Sequence, residues 1–150
     1  MDLILWRHAE AEEGEPDLDR RLTAKGRKQA ERVALWLQQR LPTRFVFVAS
    51  PARRTCQTAD ALGMPYKTSP KLLPGASPDE ALEAVGWPDK KGAILIVGHQ
   101  PTLGRVAARL LAGRDEEWTI KKGGLWWLNE RDREGASQII VRTVLSPDLL

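Results

Sequence analysis

The sequence has little cysteine and no long apolar run, and each of these two features excludes a class of protein. Cys56 is the only cysteine in 150 residues, so an internal disulfide framework is excluded and a reducing, cytoplasmic location is expected. No apolar stretch approaches the ~20 residues that span a bilayer, and Met1–Leu5 has the pattern of a first strand and lacks that of a signal peptide. We therefore expect no membrane partner.

The chain also lacks a strong excess of either charge. Its 23 basic and 20 acidic residues give a net charge of +3, which is too balanced to favour nucleic acid but compatible with a phosphorylated ligand. A length of 150 residues is enough for a core without disulfides or metal. We predict one domain over residues 1–150, since no repeat, low-complexity tract or change in composition divides it. The composition leaves the oligomeric state open.

Apolar runs and capping residues predict alternating strands and helices. One helix is expected to begin near Thr23, and a second at Ser50 (N-cap) with Pro51 at its first position and Gly63 at its end. Two more are expected, from Pro78 to a stop at Gly86 and from Pro101 to Gly113. Strands are predicted at residues 2–6, 45–49, 93–98, 124–128 and 138–144.

This alternation predicts an α/β fold with a mainly parallel sheet flanked by helices. The last two strands are separated by a charged turn, Glu130 to Gly135, and we expect them to form an antiparallel pair at one edge.

The two histidines, His8 and His99, are the only ones in the chain. Each closes an apolar run that is typical of a buried parallel strand, although periodicity alone leaves a buried helix open. Ligands of open α/β sheets bind beyond the carboxyl ends of the strands. Two imidazoles delivered to that edge from distant parts of the chain indicate an active site.

Arg7 precedes His8 at the end of the first strand, where an unpaired guanidinium is rarely buried. A surface pair in a loop is one interpretation. The other is that the neutral imidazole attacks a phosphoryl group while Arg7 binds its oxygens, since a positive neighbour favours the unprotonated, nucleophilic form.

The segment Ser50-Pro51-Ala52-Arg53-Arg54-Thr55 places two arginines in a first helical turn, where the helix dipole disfavours cations. Solvated surface arginines remain one reading. A bound oxyanion would reverse the penalty, because exposed N–H groups and a guanidinium would then surround it.

The third segment is Gly98-His99-Gln100-Pro101. Its glycine permits a tight turn after the strand, and its proline begins a helix whose amino end would face a ligand. A purely structural histidine is the alternative.

A fourth segment, Leu22-Thr23-Ala24-Lys25-Gly26, lies between the first and second of these segments. In their order along the chain, the four resemble the histidine phosphatase superfamily, the phosphoglycerate-mutase-like enzymes. The resemblance is in particular to its small SixA-type phosphohistidine phosphatases. The resemblance implies a phosphoglycerate-mutase-like fold that is compact and has no cap subdomain. It also implies that His8 is the phosphorylated nucleophile and that Arg7, Arg54 and His99 complete the phosphate site, with Arg53 an exposed neighbour.

The sequence departs from this family in two places. Ala9 stands where relatives commonly have glycine, which requires that its φ is not positive. Only 45 positions separate Arg54 from His99, so the inserted region that carries an acid in many relatives is short. Glu80 is the leading candidate for a general acid, although a helix-capping role explains it equally well.

We therefore predict a phosphatase that acts through a covalent phosphohistidine on His8, with protein-bound phosphohistidine as its substrate. No cofactor and no metal are expected, since guanidinium and imidazolium groups supply the positive charge. The alternatives are a small-molecule phosphomonoesterase of the same superfamily and a weakly active phosphate-binding module. Cys56 is expected to be a packed thiol.

Overall fold

A computed structural model describes residues 1–89 and 91–150 of the chain. Its four helices are α1 (Ala24–Gln38), α2 (Arg53–Asp60), α3 (Pro78–Ala84) and α4 (Thr102–Ala112). Its six strands are β1 (Asp2–Arg7), β2 (Val46–Ala49), β3 (Lys67–Thr68), β4 (Ala93–Gly98), β5 (Leu125–Arg133) and β6 (Ala136–Leu145). None of the helices in these described ranges is long and apolar enough to cross a membrane.

The strands form one sheet in the order β3-β2-β4-β1-β5-β6. Strands β3, β2, β4 and β1 are parallel, whereas β5 and β6 add an antiparallel edge. The predicted α/β fold with a mainly parallel sheet flanked by helices is therefore confirmed. The turn between β5 and β6 has a positive φ at Glu134 and Gly135, the conformation of a tight hairpin.

Side chains alternate along β1 between two buried layers. Leu3 and Leu5 pack in the layer that α3 and α4 cover, and Ile4 and Trp6 pack in the layer of α1 and α2. Trp6 is fully buried, and its indole N–H donates to the carbonyl of Gly123. With both faces covered, the sheet leaves its carboxyl edge as the place where polar residues can gather.

The sequence prediction differs from the structure at α2, β3 and β5. Strand β5 extends to Arg133, so the predicted charged turn from Glu130 to Gly135 is too long, because the backbone of Glu130 to Arg133 pairs with β6 where the side chains are charged and form no apolar run. Helix α2 begins at Arg53 with Ala52 as its N-cap, so the prediction that Ser50 caps it is wrong. The Ser50 hydroxyl contacts His99 instead, as described below. Strand β3 was not predicted because both of its residues are exposed and no apolar run marks them.

Candidate active site

Strand register brings the three polar segments to one edge of the sheet. Arg7 at the end of β1 lies opposite Gly98 of β4, and Ala49 of β2 lies opposite Val97. The residues that follow these strand ends are therefore neighbours. The rings of His8 and His99 have their centroids 5.3 Å apart and are tilted by 57°.

His8 is held in one tautomer by the backbone. Its Nδ1 lies 2.8 Å from the carbonyl oxygen of Ala9, and because a carbonyl only accepts, Nδ1 must carry the proton. The lone pair is then on Nε2. Burial is the main cause that lowers the pKa of His8 to about 4; the hydrogen bond to the Ala9 carbonyl opposes it, and the charges of Arg54 and Arg7 act in the same direction as burial. The imidazole is thus neutral at physiological pH and available as a nucleophile.

Ala9 fits the position where relatives have glycine. The only described non-glycine residue with a positive φ is Glu134, so Ala9 meets the backbone requirement stated above. Ala9 is fully buried, and its N–H donates to Thr58 Oγ1 at 3.0 Å.

His99 forms its hydrogen bond through Nε2, the ring nitrogen that is left free in His8. Its Nε2 lies 2.8 Å from Ser50 Oγ, and that oxygen also accepts the N–H of Ala52 at 3.3 Å. With the Ser50 hydroxyl proton donated to Nε2, the ring proton of His99 is on Nδ1. Burial lowers the pKa of His99 to about 3, with further contributions from His8 and Arg54. The ring is therefore neutral, and in the tautomer with Nδ1–H it offers a hydrogen-bond donor.

Backbone carbonyls hold the two arginines. Arg7 Nη1 donates to Ile120 O at 2.8 Å. Arg54 is only 4% exposed, and its Nη1 donates to Asp17 O at 2.8 Å while its Nη2 donates to Asp17 Oδ2 at 3.1 Å. Arg53 lies outward and pairs only with exposed Asp19 at 3.5 Å.

Three buried donors of this site have no protein partner. In the described part of the chain, four buried side-chain atoms lack a hydrogen bond, and three of them are Arg7 Nε, Arg54 Nε and His99 Nδ1. The fourth is Trp127 Nε1. An unsatisfied buried donor costs about 1–3 kcal/mol, so three in one site indicate a role. Donors of this kind are suited to a phosphate or another oxyanion.

Glu80 is not brought into contact with these groups. Its carboxylate accepts the N–H of Ser77 at 3.1 Å, and its own N–H donates to Ser77 Oγ, which forms a capping box at the start of α3. Two other acids near His8 are also engaged, Glu10 with Thr23 and Glu12 with Arg21.

Cys56 is half-buried, and its Sγ lies 3.5 Å from the carbonyl of Ser50. Burial raises the pKa of the thiol, which disfavours the reactive thiolate.

Sequence reasoning missed Asp17, the carbonyl of Ile120 and the contact of Ser50 with His99. Asp17 begins a 3-10 helix of only three residues, Asp17–Asp19, and Ile120 lies in a loop, so no periodic pattern points to either of them. Ser50 offered a signal, because it follows β2 at the sheet edge that His99 shares.

Comparison with known proteins finds a family model and solved structures that are similar to this chain. The model of the histidine phosphatase superfamily (branch 1) matches residues 3–75. The candidate phosphohistidine phosphatase SixA of Nakamurella multipartitia is 28% identical, with a TM-score of 0.78 over 97% of this chain and 95% of that one. A candidate phosphohistidine phosphatase SixA from Agrobacterium tumefaciens is 23% identical, with a TM-score of 0.77 and 97% of both chains covered.

The fold is also that of the protein histidine phosphatase SixA complexed with tungstate, which is 21% identical with a TM-score of 0.73 over 99% of both chains. No curated protein sequence gives a match to this chain.

Proposed function

We propose that this chain, which has the fold and the sequence motifs of the histidine phosphatase superfamily, is a phosphatase that works through a covalent phosphohistidine on His8. The observation that carries the proposal is the set of three unpartnered buried donors, Arg7 Nε, Arg54 Nε and His99 Nδ1, beside an imidazole with its lone pair on Nε2. Donors and a nucleophile together suit phosphoryl transfer, which depends on positioning and charge stabilisation.

In the first step, Nε2 of His8 attacks phosphorus and the bond from phosphorus to the leaving group breaks. The leaving group departs with the bonding electron pair. The ring then carries the phosphoryl group on Nε2 and a positive charge, while Nδ1–H keeps its bond to the Ala9 carbonyl. The guanidinium groups of Arg7 and Arg54 and the N–H of His99 stabilise the charge on the phosphoryl oxygens.

In the second step, water attacks phosphorus and the bond from phosphorus to Nε2 breaks. The electron pair of that bond returns to His8, water loses a proton to the solvent, and inorganic phosphate leaves. The same three donors serve both steps, since the phosphoryl oxygens stay in place.

The proposed substrate is phosphohistidine on a protein. An alkyl phosphate expels an alkoxide and needs an acid, and Glu80, the candidate acid, is engaged in its capping box. A phosphohistidine ring can protonate on its other nitrogen and leave as neutral imidazole, whose conjugate acid has a pKa of about 6.5. A cavity of about 370 Å³ beside Arg7, lined in part by Trp118 and Glu117, offers room for a projecting side chain.

The covalent intermediate can be trapped. Brief exposure to labelled aryl phosphate, followed by denaturation without acid, is expected to leave label on the protein that is labile to acid and stable to alkali. His8→Ala should remove the label, whereas Cys56→Ala should keep it. Turnover is expected to persist in EDTA. Label that survives acid, or that maps to Ser50, would refute the mechanism.

Substrate class is tested by kcat/KM on a phosphorylated histidine-containing domain and on several alkyl phosphates. We expect a preference for the phosphorylated domain and for activated aryl phosphates, unchanged in Glu80→Gln. A preference for alkyl phosphates that Glu80→Gln abolishes would instead establish a small-molecule phosphomonoesterase. Phosphate binding without any turnover would establish a binding module.

A further inference from the structure

The residues between β1 and α1 fold back over the start of α2. This segment, residues 12–21, is closed at its base by a bridge between Ala11 and Leu22 and by the N–H of Glu12, which donates to Arg21 O. Within it, Arg20 Nε donates to Glu12 O at 2.7 Å. Its middle reaches α2 through Asp17.

Asp17 contacts Arg54 through both its backbone and its side chain. Its carbonyl oxygen accepts a hydrogen bond from Arg54 Nη1 at 2.8 Å, and its Oδ2 accepts one from Nη2 at 3.1 Å. The Arg54 side chain is 5% exposed, whereas that of Asp17 is 51% exposed. A buried guanidinium needs partners for its charge and its donors, and Asp17 is the residue that supplies two of them.

We propose that Asp17 is a positioning residue for the phosphoryl-transfer reaction, which orients the Arg54 guanidinium so that its Nε–H faces the phosphate. This proposal rests on the proposed function. A guanidinium is planar with its five donors in a fixed fork, so fixing Nη1 and Nη2 also fixes the direction of Nε–H. Nε is the atom of Arg54 that is buried and has no protein partner.

Asp19 offers a matched control from the same segment. It too pairs with an arginine of α2, but that residue is Arg53, at 3.5 Å and with both side chains exposed. Removal of the Asp19 carboxylate therefore takes one acid from the same loop without touching the group that binds phosphate.

The experiment compares Asp17→Ala, Asp17→Asn and Asp19→Ala with the unaltered chain, using para-nitrophenyl phosphate as the substrate and inorganic phosphate as the inhibitor. Asp17→Ala should lower kcat/KM by about tenfold or more and weaken phosphate inhibition by a similar factor, because misplacement of a binding group by about 1 Å is costly in rate. Asp17→Asn keeps an oxygen that accepts from Nη2, so it should stay within about threefold of the unaltered chain. Asp19→Ala should be indistinguishable from the unaltered chain.

A purely structural role would not give rescue by asparagine, and thermal unfolding of all three variants identifies any that are misfolded. Equal losses in Asp17→Ala and Asp17→Asn, or no loss in either, would overturn the proposal. If the unaltered chain has no turnover, the proposed function fails by itself. Phosphate binding measured by calorimetry then tests Asp17 separately, with the same ranking of variants expected.

Discussion

At the scale of single residues, the site shows how neighbours assign different roles to identical side chains. His8 and His99 are both buried and neutral, yet a carbonyl fixes the proton of one on Nδ1 while the Ser50 hydroxyl leaves the other with a free Nδ1–H. One ring therefore has an available lone pair and the other has an available donor.

Arg54 is the residue at which the shape of the guanidinium matters in addition to its charge. Lysine at this position would keep the charge but could not contact Asp17 through two nitrogens and offer a third to phosphate. We expect Arg54→Lys to lower kcat/KM by roughly 10²-fold, on the order of 3 kcal/mol. The control is Arg53→Lys, which should have little effect because Arg53 is exposed. Steady-state kinetics on an aryl phosphate measures both, and equal effects would mean that Arg53 shares the site.

The sequence predicted the residues that close strands and those that match family motifs. Arg7, His8, Arg54 and His99 belong to such motifs, and the structure places them at one edge. Asp17 could not be found in the same way, because its contact with Arg54 joins residues 37 positions apart through a segment with no periodic pattern. Their roles in catalysis stay predictions.

At the scale of elements, the accuracy of a predicted boundary depends on whether the burial of side chains or the path of the backbone sets that boundary. The parallel strands β1, β2 and β4 were located within one residue because an apolar run marks each of them, whereas β5 was predicted to end at residue 128 and extends to Arg133. The start of α2 was predicted two residues early, since a serine followed by proline has the same pattern whether its hydroxyl caps a helix or contacts a histidine.

In the segment at the start of α1, a close approach of two backbones requires glycine at position 26. A Cβ atom at this position would lie 2.0 Å from the carbonyl oxygen of Glu10, so helix and strand-end loop meet through bare backbone. Gly26→Ala should lower the free energy of unfolding by about 1–3 kcal/mol through overpacking and also reduce kcat/KM, since Glu10 follows the nucleophile by two positions.

The comparison for that variant is Gly98→Ala, where the three atoms nearest to the Cβ all belong to the side chain of Leu103, at 3.4 to 3.6 Å. Urea unfolding measures both variants. A Gly26→Ala protein as stable as the unaltered chain would show that the two backbones separate easily.

At the scale of the whole molecule, the two buried histidines make stability depend on pH. Their pKa values of about 4 and about 3 in the folded chain lie below the value of about 6.5 in the unfolded chain. The unfolded state therefore binds more protons below pH 6.5, so this contribution to stability is complete above that pH and is lost as pH falls. Each histidine contributes a slope of up to about 1.4 kcal/mol per pH unit.

Urea unfolding in phosphate-free buffer at pH 7, 6 and 5 tests this dependence. We expect a loss of about 2 kcal/mol between pH 6 and pH 5, and about half of it in His99→Gln. A free energy of unfolding that is constant over this range would mean that the histidines titrate normally in the folded chain.

The resemblance to the histidine phosphatase superfamily, seen first in four short segments, is supported by the family model, which matches residues 3–75, and by the fold shared with solved structures. Residues 3–75 carry three of those segments, and the fold supplies the fourth by bringing His99 beside His8.

The supports of the site have a consequence for how its sequence can change. Arg7, His8 and Arg54 are each held by a main-chain oxygen, of Ile120, Ala9 and Asp17 respectively. Every amino acid carries such an oxygen, so at Ile120 and Ala9 the path of the backbone provides the support, whereas at Asp17 the carboxylate also contacts Arg54. Apart from Asp17, the surrounding loops can therefore diverge among descendants of this chain while the geometry of the candidate site persists, and a search by loop sequence would overlook proteins that share it.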